Sequence, residues 1–198
     1  TLTEVLFAGL KGEEAFFRPP YHGLRHPMVF YFCHPPVFYT NKLRVAGLIA
    51  APLNPYFEKL FEVGVDEMRW DDMSKNEMLW PSVDEARAYR AAVYATVSQV
   101  IATHPGLADG HAPITLNDPL WALFMAFEHE RIHLETSAVL VHELPLDHVQ
   151  RPAAWPALYP AAPHDASTAL RPRPGTDYPA LTLCDVAATR ITLGKPAD

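Results

Sequence analysis

Residues 124–140 read FMAFEHERIHLETSAVL. Two histidines, His129 and His133, stand four positions apart there, with Glu128, Glu130 and Glu135 around them and apolar residues on both sides. In a helix, positions i and i+4 share one face, about 6 Å apart along the axis. Both imidazoles then point the same way, and two neutral imidazoles at that spacing can hold one divalent metal from a single helix. The same face carries Ala122, Ala126, Thr136, Ser137 and Leu140, a small or apolar set that suits an interior-facing stripe with room beside the rings. The glutamates fall off that axis to differing degrees. Some can orient ligands as hydrogen-bond acceptors; others are solvated. The bland alternative is a structural histidine pair, which is common on helices. A third reading comes from the match of His129-Glu130-Arg131-Ile132-His133 to the His-Glu-x-x-His pattern of zinc proteases. That chemistry requires a third ligand, and the Gly turn of the extended pattern is absent from HERIHLETSAVLVH.

A third ligand has few sources. His142 lies half a helical turn round from His133 and cannot join it. His104, His111, His148 and His164 fall in turns or in a Pro-rich stretch, and His22 and His26 precede the first long helix as caps or core hydrogen-bonders. His34 sits between Cys33 and Pro35 in the most apolar helical segment. A buried imidazole there needs a partner; a metal fits, and so does an ordinary hydrogen bond. Cys33 points some 100° away on the helix and reads as core rather than ligand.

Four helical segments are expected to position these residues. The first spans about 26–48, apolar nearly all round and therefore central, with Pro35 and Pro36 expected to kink or split it. A short one spans 54–63, with Asn54 as N-cap and Pro55 in the first turn. The third spans 83–103 and opens on a capping box formed by Ser82 and Glu85. The fourth spans 118–143, with Asn117 as N-cap and Pro119 in its first turn. Helices with modest connections imply an all-α class, a four-helix bundle.

A chain of 198 residues with 49% hydrophobic content is long enough for a core without staples. No apolar run approaches the roughly 18 residues of a membrane span, and the start lacks the pattern of a secretory signal. Two cysteines, Cys33 and Cys184, make no disulfide framework, which points to a reducing, cytoplasmic setting. The net charge of −7 and the lack of a basic stripe argue against nucleic acid and membrane surfaces as partners. Twenty prolines against nine glycines are unevenly spread. The expected organisation is a helical domain at 1–150, a Pro-rich connector at 151–179, and at 180–198 a strand-like alternation that opens a second, mostly absent domain.

Four stretches, LRHPMVFYFCHPPVFYTNKLRVAGL, NPYFEKLFEVGVDEMRWDDMS, WPSVDEARAYR and EHERIHLETSAVL, occur in this order between about Arg18 and Leu144. Together they resemble the N-terminal part of the 5-histidylcysteine sulfoxide synthases of ovothiol biosynthesis, relatives of the ergothioneine-forming sulfoxide synthases. The resemblance implies a DinB-like four-helix bundle that holds mononuclear non-haem iron, Fe(II), on His34, His129 and His133. It implies a following domain like the formylglycine-generating enzymes, with ATRITLGKP as its opening, an active site between the two domains, and an oxygen-assisting tyrosine in the second. Some members carry a methyltransferase domain further on. Pro36 departs from the pattern, where a residue that keeps the helix regular is expected. Ile132 stands where the ergothioneine enzymes tend to have a polar substrate contact, which favours the ovothiol branch.

The chemistry implied is the joining of cysteine to histidine through a C–S bond, with O₂ as oxidant and the sulfur ending as a sulfoxide. Three imidazoles on one face of the iron leave positions where both substrates and O₂ can meet. Arg69, in DEMRWDDMS, is the expected substrate-binding residue through a bidentate carboxylate contact, against a surface salt bridge as the plain alternative. The helical domain alone is then expected to bind metal without turnover, its working partner being the C-terminal domain of the same chain. Two further readings remain: a DinB-like thiol transferase that uses zinc or nickel to activate a thiolate, and a non-catalytic helical module with structural histidines.

Overall fold

The computed structural model describes residues 1–23, 25–62 and 79–155, with position 175, positions 182–185, and positions 187 and 190 beyond them. The chain divides into two compact units, Thr1–Trp155 and Pro156–Asp198. The described positions of the second lie in no helix or strand, and the strand-like alternation expected at 180–198 falls mainly outside the described residues. The helices of the described residues belong to the first unit: α1 (Leu2–Phe7), α2 (Glu14–Phe17), α3 (Met28–Val45), α4 (Pro55–Leu60), α5 (Val83–Thr103) and α6 (Trp121–His142). Two single turns of 3₁₀ helix follow α5 and α6, at Pro105–Leu107 and Leu146–His148. The described residues form an all-α helical bundle. Among the described residues there is no strand, only one antiparallel bridge between Leu10 and Val149.

Helix α3 is central, as its all-round apolar composition requires. It packs against α2, α4, α5 and α6, and Val29, Phe30, Tyr31, Phe32, Cys33 and Val37 are all essentially inaccessible to solvent. It ends in a Schellman turn: the Leu48 N–H donates to the Leu43 carbonyl and Gly47 stands at φ 73°, a conformation that costs glycine nothing. Helix α4 starts on the Asn54 side chain, which accepts from the Phe57 N–H. Its Glu58 is buried, accepting from the Leu53 and Asn54 N–H groups and from Arg44 at 2.8 Å. The expected capping box opens α5: the Ser82 hydroxyl accepts from the Glu85 N–H while the Glu85 carboxylate takes the Ser82 N–H.

Three expectations need correcting. Pro35 and Pro36 do not split α3, which runs unbroken from Met28 to Val45. A proline at position i leaves the carbonyl of i−4 without its helical donor, so Pro36 deprives Phe32; that carbonyl accepts instead from Arg90 Nη1 at 2.6 Å. Asn117 does not cap the last helix. Residues 115–122 wind through successive i→i+3 turns, with Asp118 Oδ1 accepting from the Leu120 N–H, so that α6 begins only at Trp121. Helices α1 and α2, of six and four residues, are too short for a periodic pattern to announce, yet Leu6, Phe7 and Phe16 join the core.

Candidate metal centre

Helix α3 brings His34, and α6 brings His129 and His133, to one place. Their ligand nitrogens all lie within 4.8 Å of one another. His129 Nε2 stands 3.1 Å from His133 Nε2 and 3.3 Å from His34 Nε2. Bonds of about 2.0–2.1 Å to a zinc-like ion place ligand nitrogens about 2.9 Å apart at right angles and about 3.4 Å apart in a tetrahedron. These two separations fall within that span, and the three residues form a group that could hold one metal ion.

The tautomer of His34 is set by the backbone. Its Nδ1–H donates to the Phe61 carbonyl, just past the end of α4, at 2.7 Å. In the neutral ring, Nε2 then carries the lone pair, and it faces the other two imidazoles. His129 is held in place by stacking on Phe38, with ring centroids 3.7 Å apart and planes 10° apart; His34 lies against Phe30. Burial, followed by His133, His34 and Lys42, pushes the His129 pKa down to about 3. That ring is neutral at physiological pH, the form a metal needs. The cluster opens into a cleft of about 520 Å³ whose walls include Arg25, Tyr31, Asn41, Lys42, Ile132 and Thr136. A cavity of this size suits small ligands.

The other expected site features separate cleanly. Glu130 points away from the histidine cleft and accepts from Thr3 at 2.8 Å and Tyr39 at 2.9 Å. It does not line the histidine cleft, which removes the general base that a zinc protease would need at this position. Glu128 pairs with Arg131 on the surface, and Glu135 is exposed. The acceptor that orients a ligand histidine is therefore the Phe61 carbonyl rather than a glutamate, and a backbone oxygen leaves no mark in a sequence. His142 is exposed and donates to the Ala138 carbonyl of its own helix, away from the cluster, as helix phase requires. His26 is buried, tilted against Phe30 and edge-on to Trp80, and stands outside the three-nitrogen group. Cys33 is fully buried, and desolvation pushes its thiol up to about 12, so it is core. Arg69 lies outside the described residues.

The chain matches the DinB superfamily over residues 1–137, well over half its length, and it belongs to that superfamily. No curated protein matches it. The class that fold and site define is thus a DinB-superfamily helical domain in which three histidines from two helices form a group able to hold a metal ion. Among the described residues no helix is long and apolar enough to cross a membrane.

Proposed function

We propose that this chain is the metal-binding part of an O₂-dependent, non-haem iron sulfoxide synthase that joins cysteine to histidine through a C–S bond, as in ovothiol biosynthesis. The observation that carries the reading is the convergence of three ring nitrogens with His34 held in the one tautomer that aims its lone pair inward. Three neutral imidazoles add no negative charge, so a bound Fe(II) keeps its full charge for anionic substrates and supplies O₂ activation. His34, His129 and His133 would hold it. The rest of the chain's task is placement. Phe38 fixes the ring plane of His129. Arg25 and Lys42 give the cleft cationic groups suited to the carboxylates of amino-acid substrates. Ile132 presents an apolar surface in the cleft wall, where the ergothioneine enzymes tend to have a polar substrate contact. Arg69 is assigned to a substrate carboxylate on the resemblance of its loop. The opposing wall and the oxygen-assisting tyrosine are assigned to a second domain of the same chain, with the whole working in the cytoplasm.

The second reading is a DinB-like thiol transferase on zinc or nickel, which the 3.3 Å separation accommodates equally well. Metal analysis of protein purified without oxygen and reloaded from equimolar Fe(II), Zn(II) and Ni(II) separates the two. Near-stoichiometric iron, with a cysteine–histidine sulfoxide detected by mass spectrometry once the second domain is supplied, is the expected result. Zinc or nickel retained in preference, with no C–S product from any longer form of the chain, overturns the iron reading.

A further inference from the structure

One side chain of α5 touches the back of both ligand-bearing helices. Arg90 is buried, only 8% exposed. Its Nη1 donates to the Phe32 carbonyl at 2.6 Å, two residues before His34 on α3. Its Nη2 stands 3.9 Å from Glu130, the residue after His129 on α6. Its Nε binds Glu4 of α1 at 2.5 Å, and its guanidinium lies over the Phe32 ring at 4.5 Å. A buried guanidinium needs compensation of its charge, and the two carboxylates supply it.

The Phe32 carbonyl is available only because Pro36 has no N–H to give it. An orphan carbonyl in a dry core costs free energy, and the pyrrolidine ring pushes that same carbonyl off the helical line. The hydrogen-bond ladder of α3 therefore lacks its rung between residues 32 and 36, and His34 lies inside that turn. We propose that Arg90 is a positioning residue for the three-histidine site: its Nη1–H replaces the missing Pro36 donor at the Phe32 carbonyl and so holds the turn of α3 that carries His34. The proposal rests on the three-histidine group being a metal site. Arg90 itself touches neither metal nor substrate.

The partner relation gives a specific test. Pro36→Ala restores a backbone N–H to the Phe32 carbonyl and should make Arg90 dispensable for site geometry. Anaerobic Co(II) titrations, read by visible absorption, are run on the parent chain, Arg90→Met, Pro36→Ala and the double variant. Arg90→Met is expected to weaken Co(II) binding by about 10–100-fold, the size of a supporting-residue loss at metal sites, and to shift the Co(II) band. Pro36→Ala and the double variant are both expected to bind within about threefold of the parent, a non-additivity that neighbours sharing one hydrogen bond produce. If Arg90→Met binds like the parent, or the double variant is as weak as Arg90→Met, the positioning role is overturned. Should Arg90→Met fail to fold, Arg90→Lys takes its place: it keeps the charge between Glu4 and Glu130 but not the planar fork. It is expected to bind Co(II) weakly when Pro36 is present and normally when combined with Pro36→Ala; equal affinity in both backgrounds overturns the role. A parent chain that takes up no Co(II) overturns the metal-site reading, and the proposal with it.

Discussion

Replacing His133 by alanine should remove most of the metal's effect on thermal stability, while His142→Ala leaves it whole. The geometry sets the size of the effect. His133 Nε2 is 3.1 Å from His129 Nε2 and belongs to the converging group, whereas the His142 ring is exposed and bonded to its own helix. With free Co(II) held at 100 times the parent Kd, binding to the folded state stabilises it by about 2.7 kcal/mol. For a unit the length of Thr1–Trp155, each kcal/mol moves Tm by about 2–4 °C, so the parent should gain about 5–11 °C. Losing one of three ligands weakens affinity by at least about a hundredfold, more than a supporting-residue change does. The same Co(II) then sits near the variant's own Kd, and the gain shrinks to about 0.4 kcal/mol, or about 1–2 °C. Each melt is compared with the metal-free melt of the same variant, which removes any cost of the substitution itself. Calorimetry or dye-based melting at fixed free Co(II) reads the outcome. Equal gains for His133→Ala and His142→Ala would refute both the ligand set and the helix phase behind it; His34→Ala should follow His133→Ala.

Three further outcomes are expected. Ser82→Ala removes one half of the capping box at the start of α5 and should cost about 1 kcal/mol in urea unfolding, with Co(II) affinity unchanged. Glu58→Ala strips two backbone N–H groups and Arg44 of a buried acceptor and should cost about 2–4 kcal/mol; a loss under about 0.5 kcal/mol, the scatter of ordinary surface changes, would mean that the ion pair is idle. Cys184 is exposed and Cys33 is buried with its thiol pushed up to about 12. A disulfide reagent at about pH 8, near an ordinary thiol pKa, should therefore titrate one fast thiol in native protein and two in urea, and two fast thiols in the native protein would contradict the packing of α3.

Much of the site was legible because it is local. The i, i+4 spacing of His129 and His133 fixes their common face from helix geometry alone, and the exclusion of His142 follows from the same count. The Ser82 capping box and the Asn54 cap are four-residue patterns with one physical meaning. His34 is different. Ninety-five positions separate it from His129, and nothing in periodicity joins them; its apolar setting made it a candidate, and the resemblance to the sulfoxide synthases chose it over an ordinary hydrogen-bonded histidine. Helix phase could have shown that Glu130 leaves the histidine face, since adjacent residues diverge by about 100°, but its partners Thr3 and Tyr39 are tertiary. The Phe61 carbonyl was invisible because every residue has one. The start of α6 was ambiguous for a simple reason: Asn117 and Asp118 are both good caps, and a run of tight turns decides against a cap at Asn117.

The neighbours His129 and Glu130 have one more consequence. His129 is tied to His34 of α3, and Glu130, about 100° further round α6, to Thr3 of α1 and Tyr39 of α3. A packed helix has an easy motion, a roll about its own long axis, and ties at two bearings about 100° apart oppose that roll, as a keyed shaft resists torque. Adjustment of the cleft to a substrate must then come from the elements around α6 rather than from its rotation. It also gives the dipeptide His-Glu a mechanical reading: the glutamate here sets the angular bearing of the histidine beside it, and a pattern that names a proton carrier in a protease names an anchor in this bundle.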